Sequence, residues 1–289
     1  TSWTDLSWDL GNGDMNFMLE GIMYADQITA VSPTYAREIQ EVELGGGLNE
    51  VLRKNSGKLT GVLNGISKEN WNPETDTVLD VMFGKNNWRI GKESAKKQLS
   101  KELEIPEGKI LLGYVGRADR RQKGLPLIME LVENHWQDEW RLVILSTGEP
   151  DLEAELRQME AKWPDKVDVI TRYDEKLARI IYAASDFMLI PSRYEPCGLV
   201  QLIAMRYGTI PVVRRTGGLA DTIFDNVNGF SFEKYDVSDF STTLNRGIKI
   251  WTDNKERLVI TAMNFDSSWE SSAKKYCGLY EKLGYKSKS

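Results

Sequence analysis

The chain has 289 residues, 41% of them hydrophobic and 28% charged, an ordinary globular composition with room for one large domain or one and a half smaller ones. Its 37 basic and 43 acidic residues leave a net charge of −6, which argues against nucleic acid as a partner, and no stretch approaches the roughly 20 apolar residues of a membrane helix. Cys197 and Cys277 lack C-x-x-C spacing and there is one histidine, His135, so zinc sites, disulfide frameworks and Ser-His-Asp chemistry are disfavoured and a reducing compartment fits.

The chain opens on Thr1 rather than Met, without an apolar leader, and is expected to be a cut or truncated piece. Met15, Met18, Leu19, Ile22 and Met23 have helical spacing up to Ala25. Gln27 to Val31 reads as a strand, and Ser32-Pro33 opens a helix with a cap and a first-turn proline. Residues 43–61 are Gly-rich and polar and predict a mobile loop; the part before residue 65 is expected to be too short for a sheet of its own. Gly65 to Lys92 reads as a linker, and Glu93 to Leu103 as an amphipathic helix.

From Gly108 the pattern alternates. Strands are expected at Ile110–Val115, Trp140–Ser146, Val167–Thr171, Phe187–Pro191 and Ile210–Val213. Between and after them, helices are expected at Leu125–Val132, Asp151–Trp163 (capped by Asp151), Lys176–Ala184, Gly198–Tyr207 and Leu219–Phe224, with a helical tail from Asp236 to near Lys282. Short apolar strands separated by helices predict an α/β fold, a Rossmann-like parallel sheet with right-handed crossovers. Such a sheet binds ligands at the carboxyl ends of its strands, which is where the chemistry is to be sought.

The segment after the first of these strands, G-R-A-D-R-R-Q-K-G (116–124), sets Arg117, Arg120, Arg121 and Lys123 between two glycines at a helix mouth, a pattern suited to phosphate oxygens. P-S-R-Y-E-P-C-G-L-V (191–200) places Glu195 before Pro196 and leaves the amides of Gly198, Leu199 and Val200 as donors at a helix start; a carboxylate there suits sugar hydroxyls while the amides suit a diphosphate. R-R-T-G-G-L-A-D (214–221) is a second Gly-Gly turn into a helix, with Gly217 and Gly218 expected to offer free amides. Tyr173 stands at a further strand end, where an aromatic either stacks on a base or simply bounds the sheet. There is no G-x-x-x-x-G-K-[ST] loop and no G-x-G-x-x-G fingerprint, and Gly57 to Gly61 follows no expected strand.

Four segments in order resemble the bacterial glycogen synthase and plant starch synthase family, glycosyltransferases of the two-domain GT-B fold. They are Y-A-D-Q-I-T-A-V-S-P-T-Y-A-R-E-I (24–39), G-V-L-N-G-I-S (61–67), S-R-Y-E-P-C-G-L-V-Q-L (192–202) and Y-G-T-I-P-V-V-R-R-T-G-G-L-A-D-T (207–222), within a likeness running from about Met15 to Tyr280. The resemblance implies residues 1–64 as the end of an N-terminal domain plus linker, 65–265 as a nucleotide-sugar-binding C-terminal domain, and 266–289 as a crossover helix and tail. It implies retaining transfer of glucose from ADP-glucose to the non-reducing end of an α-1,4-glucan, releasing ADP, with no cofactor and no metal. Arg117 and Lys123 then neutralise the diphosphate, Glu195 is the first acid of an E-x7-E pattern and touches the sugar, and Tyr173 packs on adenine. Gly198, Leu199 and Val200, with Gly217 and Gly218, wrap phosphate and sugar.

The sequence departs from the family at Ile203, which replaces the second acid and favours the ADP-glucose branch over the UDP-glucose one, and in lacking the family's N-terminal K-x-G-G-L loop and H-D-W region. About 200 residues, the scale of one domain, are thus expected to be absent before Thr1. Trp269, Tyr276 and Tyr280 resemble the last helices, which return to that domain, and are expected to lose packing surface. A bacterial cytoplasm or a plant plastid fits. The rival readings are a sucrose- or trehalose-type GT-B enzyme, disfavoured by E-P-C-G-L and R-R-T-G-G-L-A-D, and a non-catalytic nucleotide- or glucan-binding module.

Overall fold

The computed structural model describes residues 16–106 and 108–285. The first helix, α1 (Phe17–Tyr24), is capped by Asn16, whose side chain accepts from the Leu19 amide; Met15, the expected first turn, lies outside the described residues. Strand β1 (Ile28–Ala30) leads to α2 (Pro33–Glu38), where the Ser32 side chain caps the Tyr35 amide at 3.0 Å as the Ser-Pro pair predicts. The stretch expected to be a mobile loop is folded instead: α3 (Asn49–Lys54), a 3-10 turn at Ser56–Lys58, and β2 (Leu59–Gly61). β2 pairs in parallel with β1, Thr29 opposite Thr60, so this part has a two-stranded sheet of its own. The glycines masked a helix that tertiary packing supports: Leu52 is buried, and the Lys58 ammonium donates to the Met23 and Ala25 carbonyls at the end of α1.

Residues 65–87 hold no helix or strand, yet this linker is pinned to the larger part. Asp76 is buried and accepts from Arg179 at 3.2 Å and from the Tyr207 hydroxyl, and Arg179 also donates to the Asn70 carbonyl and lies 4.4 Å over the Trp71 ring. α4 (Trp88–Leu103) starts at Trp88 rather than Glu93 because its buried stripe, Trp88, Lys92, Ala95 and Leu99, includes a lysine that reads as polar. Burial pulls the Lys92 ammonium well below its ordinary pKa; it donates to the carbonyls of Ala183 and Ser185 and to the Thr209 hydroxyl, each at 2.8 Å.

The larger part is a wholly parallel six-stranded sheet. Its elements in chain order are β3 (Ile110–Ala118), α5 (Leu125–Asn134), β4 (Trp140–Gly148), α6 (Pro150–Lys162), β5 (Val167–Ile170), α7 (Glu175–Ala184) and β6 (Phe187–Ile190). There follow α8 (Val200–Arg206), β7 (Ile210–Arg214), α9 (Gly217–Thr222), β8 (Phe230–Phe232), α10 (Val237–Met263) and α11 (Trp269–Lys282). The strand order β5-β4-β3-β6-β7-β8 reverses direction between β3 and β6, where Leu112 lies opposite Phe187 and Gly113 opposite Met188. The expected strands and crossovers are present, and their central side chains, among them Leu112, Val143, Phe187 and Val212, are fully buried.

Four local expectations differ. α6 is preceded by Glu149, not capped by Asp151, because Pro150 takes the first helical position. α8 begins at Val200, two residues after Gly198, whose φ of +74° is left-handed. The three-residue β8 is too short to register as a strand in sequence, although Phe230 and Phe232 bury fully or nearly so against the sheet. The tail is two helices separated at residues 264–268, the first kinked at Asn254.

At that break the chain returns to the linker. The Ile66 amide donates to the Ser267 carbonyl at 2.8 Å, and the Ser272 hydroxyl to the Leu63 carbonyl at 2.6 Å. Trp269 and Tyr280 are half-exposed, and Tyr276 and Tyr280 line a cavity of about 560 Å³ with Asp26, Gln27 and Thr29 of the N-terminal segment. None of the helices among the described residues is long and apolar enough to cross a membrane.

Removing the Asp76 carboxylate leaves the Tyr207 hydroxyl and one face of the Arg179 guanidinium unpaired; Asp76→Ala is expected to cost about 3 kcal/mol. Denaturant unfolding at constant slope, with faster amide exchange across residues 70–80, checks this.

Candidate active site

The reversal of strand order sets the ends of β3 and β6 side by side, and their loops carry the central pair. The Lys123 ammonium, from the loop after β3, donates to both carboxylate oxygens of Glu195, from the loop after β6, at 3.0 and 2.7 Å. Glu195 is buried and also accepts from the Ser192 hydroxyl at 2.9 Å. Close backbone approach makes this possible. Gly124, at φ +74°, lies so near the end of β6 that a Cβ there would meet the Pro191 carbonyl oxygen at 2.0 Å. The Tyr114 hydroxyl, on β3 below the pair, is pushed well above its usual pKa, first by burial and then by the Glu195 charge.

The four cations of the 116–124 loop do not share one place. Lys123 faces Glu195. Arg117 donates to the Gln122 side chain at 2.8 Å and lines a cavity of about 560 Å³ with Tyr173, Arg172, Trp71 and Ile203. Arg120 and Arg121 line a different cavity. Tyr173, which also lines the Arg117 cavity, is 81% exposed, just before α7, where Asp174 caps the Leu177 amide. Ile203 is buried and gives this cavity an apolar floor where an acid would sit in E-x7-E. Trp71, from the linker, is a wall that no strand-end argument reaches; its signal in the sequence is an isolated tryptophan in an otherwise polar stretch.

The glycines behave differently from one another. The amides of Gly198, Leu199 and Val200 donate to no acceptor among the described residues, so the opening of α8 is available. The opening of α9 is not. The Gly217 amide donates to Glu38 Oε1 at 2.9 Å, as does the Thr216 hydroxyl, and the Gly218 amide donates to the Glu195 carbonyl at 3.0 Å. The expectation of free amides there is corrected: a carboxylate from α2 fills the helix start, as an anion would. Thr34 reinforces this contact, donating through its amide and hydroxyl to the Asp221 carboxylate at 2.7 Å each. Thr34 and Glu38 lie in the T-Y-A-R-E segment, whose sequence marks a helix but not the partner it meets.

Residues 95–263 match the family of glycosyl transferases group 1, and residues 4–54 match the starch synthase catalytic domain. The chain is 43% identical to a glycogen synthase of Alkaliphilus metalliredigens, across 94% of this chain and 59% of that protein. It is 41% identical to a glycogen synthase of Thermotoga maritima, across 93% and 57%. It thus spans a little under three fifths of either relative. Its fold is similar to the catalytic domain of starch synthase IV from Arabidopsis thaliana bound to ADP and acarbose, with a TM-score of 0.86 and 37% identity across 92% of this chain and 57% of that one. A sucrose-phosphate synthase from Thermosynechococcus elongatus, 21% identical with a TM-score of 0.64, shares the fold.

At Gly218 a Cβ would lie 2.0 Å from the Cys197 carbonyl oxygen. Gly218→Ala is therefore expected to push the α9 turn off the Glu195 loop and cost at least about 2 kcal/mol. A thermal melt reads the loss; a midpoint equal to the parent's would show that the two loops are not in register.

Proposed function

The chain belongs to the group 1 glycosyl transferases, and on that premise we propose that it carries the donor site of a glycogen or starch synthase. The reaction is retaining transfer of glucose from ADP-glucose to the 4-hydroxyl at the non-reducing end of an α-1,4-glucan. The observation that carries this reading is the Lys123–Glu195 pair, held at the strand-order reversal between the Tyr173 cavity and the open amides of α8.

Each part has a chemical task. The Tyr173 ring offers a face to adenine, with Trp71 and Ile203 forming the apolar surround. The diphosphate runs from there past Arg117 to the amides of Gly198, Leu199 and Val200. Lys123 then exchanges one partner for another, giving a charge to the leaving phosphate as the anomeric C–O bond breaks. Glu195, released from Lys123, accepts from sugar hydroxyls; the hydrogen bonds that its carboxylate accepts from Ser192 and its carbonyl from the Gly218 amide fix where it points. It positions the sugar rather than attacking it: the acceptor hydroxyl enters on the face that the diphosphate leaves, its oxygen bonds to the anomeric carbon as the C–O bond to phosphate breaks, and its proton passes to the departing phosphate oxygen. Gly217 and Gly218 act by shape, letting the α9 turn lie against the Glu195 peptide. No step calls for a metal or a cofactor. The glucan enters on the side of the sheet edge facing the N-terminal segment, and the remaining wall belongs to the family's N-terminal domain. On this reading the chain works in a bacterial cytoplasm or a plastid.

Calorimetric titration with ADP and UDP tests the donor assignment. ADP is expected to saturate one site and to outbind UDP. Lys123→Ala is expected to weaken ADP roughly 10- to 100-fold, the worth of one or two bonds to a charged group, and Tyr173→Ala about tenfold. Equal affinity for both nucleotides, or an unchanged affinity in Lys123→Ala, would overturn it. Labelled-glucose transfer to maltooligosaccharide separates an enzyme from a binding module.

A further inference from the structure

A cavity of about 1040 Å³ lies apart from the donor pocket: it shares no lining residue with the Tyr173 cavity. Its lining carries Arg121, Arg193 and Arg214, and none of the three has a carboxylate within ion-pair distance among the described residues. Arg193 and Arg214 converge on the same ring, their guanidinium carbons 4.5 and 6.0 Å from the Tyr235 centroid, and Arg214 donates to the Arg193 carbonyl oxygen. Two like charges gathered over one aromatic, satisfied only by carbonyls and a π face, form a positive focus that lacks a counter-ion. Guanidinium forks of this kind fit phosphate oxygens. The same lining holds acidic residues from the chain after α2: among the described residues Glu43 pairs with no cation and Glu41 only with Arg53, at 3.9 Å. Carboxylates there suit hydroxyl donors.

From these uncompensated cations and carboxylates in one lining we propose that the cavity is a second ligand site, taking a phosphorylated saccharide. Arg193 and Arg214 hold the phosphate, Tyr235 supports a ring face, and Glu41 and Glu43 accept from hydroxyls. The volume is at the upper end of the roughly 300–1,000 Å³ typical of small-molecule pockets, enough for more than one sugar ring. The site is wired to the candidate active site by the chain itself: Arg193 lies two residues before Glu195, and Arg214 two before Thr216, whose hydroxyl donates to Glu38. The proposal stands on the cavity alone and does not depend on the donor assignment.

Titration with glucose 6-phosphate, and with maltotriose bearing a 6-phosphate, tests it against unphosphorylated maltotriose. A phosphorylated probe is expected to bind at least tenfold more tightly than the bare sugar. The double variant R193Q/R214Q, its thermal midpoint within about 2 °C of the parent's, is expected to lose at least tenfold in affinity, while Lys123→Ala keeps it. Tighter binding of the free hexose phosphate names a soluble ligand; tighter binding of the phosphorylated oligomer names a modified glucan; either upholds the site. Binding that is unchanged in R193Q/R214Q, that is abolished in Lys123→Ala, or that is equal for phosphorylated and bare maltotriose would overturn it, as would no saturation with either phosphate probe. Should the double variant melt early, the single variant Arg193→Lys, which keeps the charge and loses the fork, is read instead: a tenfold loss upholds the site and an unchanged affinity overturns it.

Discussion

Everything at the carboxyl edge of the sheet depends on the pairing of β3 with β6. The two strands meet over a short register, and β3 lies close under the turn that feeds β6: a Cβ on Gly113 would fall 2.4 Å from the Ser185 hydroxyl oxygen. Because the order of strands turns at that seam, the loops leaving β3 and β6 diverge to opposite faces and leave a crevice between them. Lys123 and Glu195 stand in it, 72 residues apart in sequence and within bonding distance in space. Their mutual satisfaction answers a physical difficulty. A carboxylate with 8% of its side chain exposed needs a partner, and the lysine provides one without a permanent commitment, since both groups remain at the edge of solvent.

Much of the large sheet was legible because hydrophobic runs bounded by glycine, proline and charge repeat at the spacing of parallel crossovers. Legibility failed where tertiary contacts supply what local sequence lacks. Lys92 hid the first turn of α4, since a lysine on the buried side of a helix defies binary patterning; the carbonyls at the end of α7 and the Thr209 hydroxyl explain it. The Gly45-Gly46-Gly47 run hid α3, whose support comes from α1 and not from its own propensity. Phe230 and Phe232 made a strand too short to have a period.

At the site, residue types were legible and their partners were not. A sequence shows that Arg117, Arg120, Arg121 and Lys123 are close along the chain, but not that the loop turns them toward three different surroundings. It shows a Gly-Gly turn, but not that Glu38, 179 residues away, already occupies its first amide. Both gaps have one cause: long-range hydrogen bonds leave no periodic trace.

Two of the places where the N-terminal segment and linker meet the larger part differ in kind. At one, the backbone bond of Ile66 to Ser267 and the Ser272 bond to Leu63 clasp the outgoing and returning chains together. At the other, Thr34 and Glu38 engage α9 through side-chain oxygens that solvent or an anion can replace. The first is an axle and the second a catch. The clasp ends on the carbonyl oxygens of Ser267 and Leu63, which no substitution removes, whereas the contact to the Gly217 amide lasts only while position 38 carries a carboxylate.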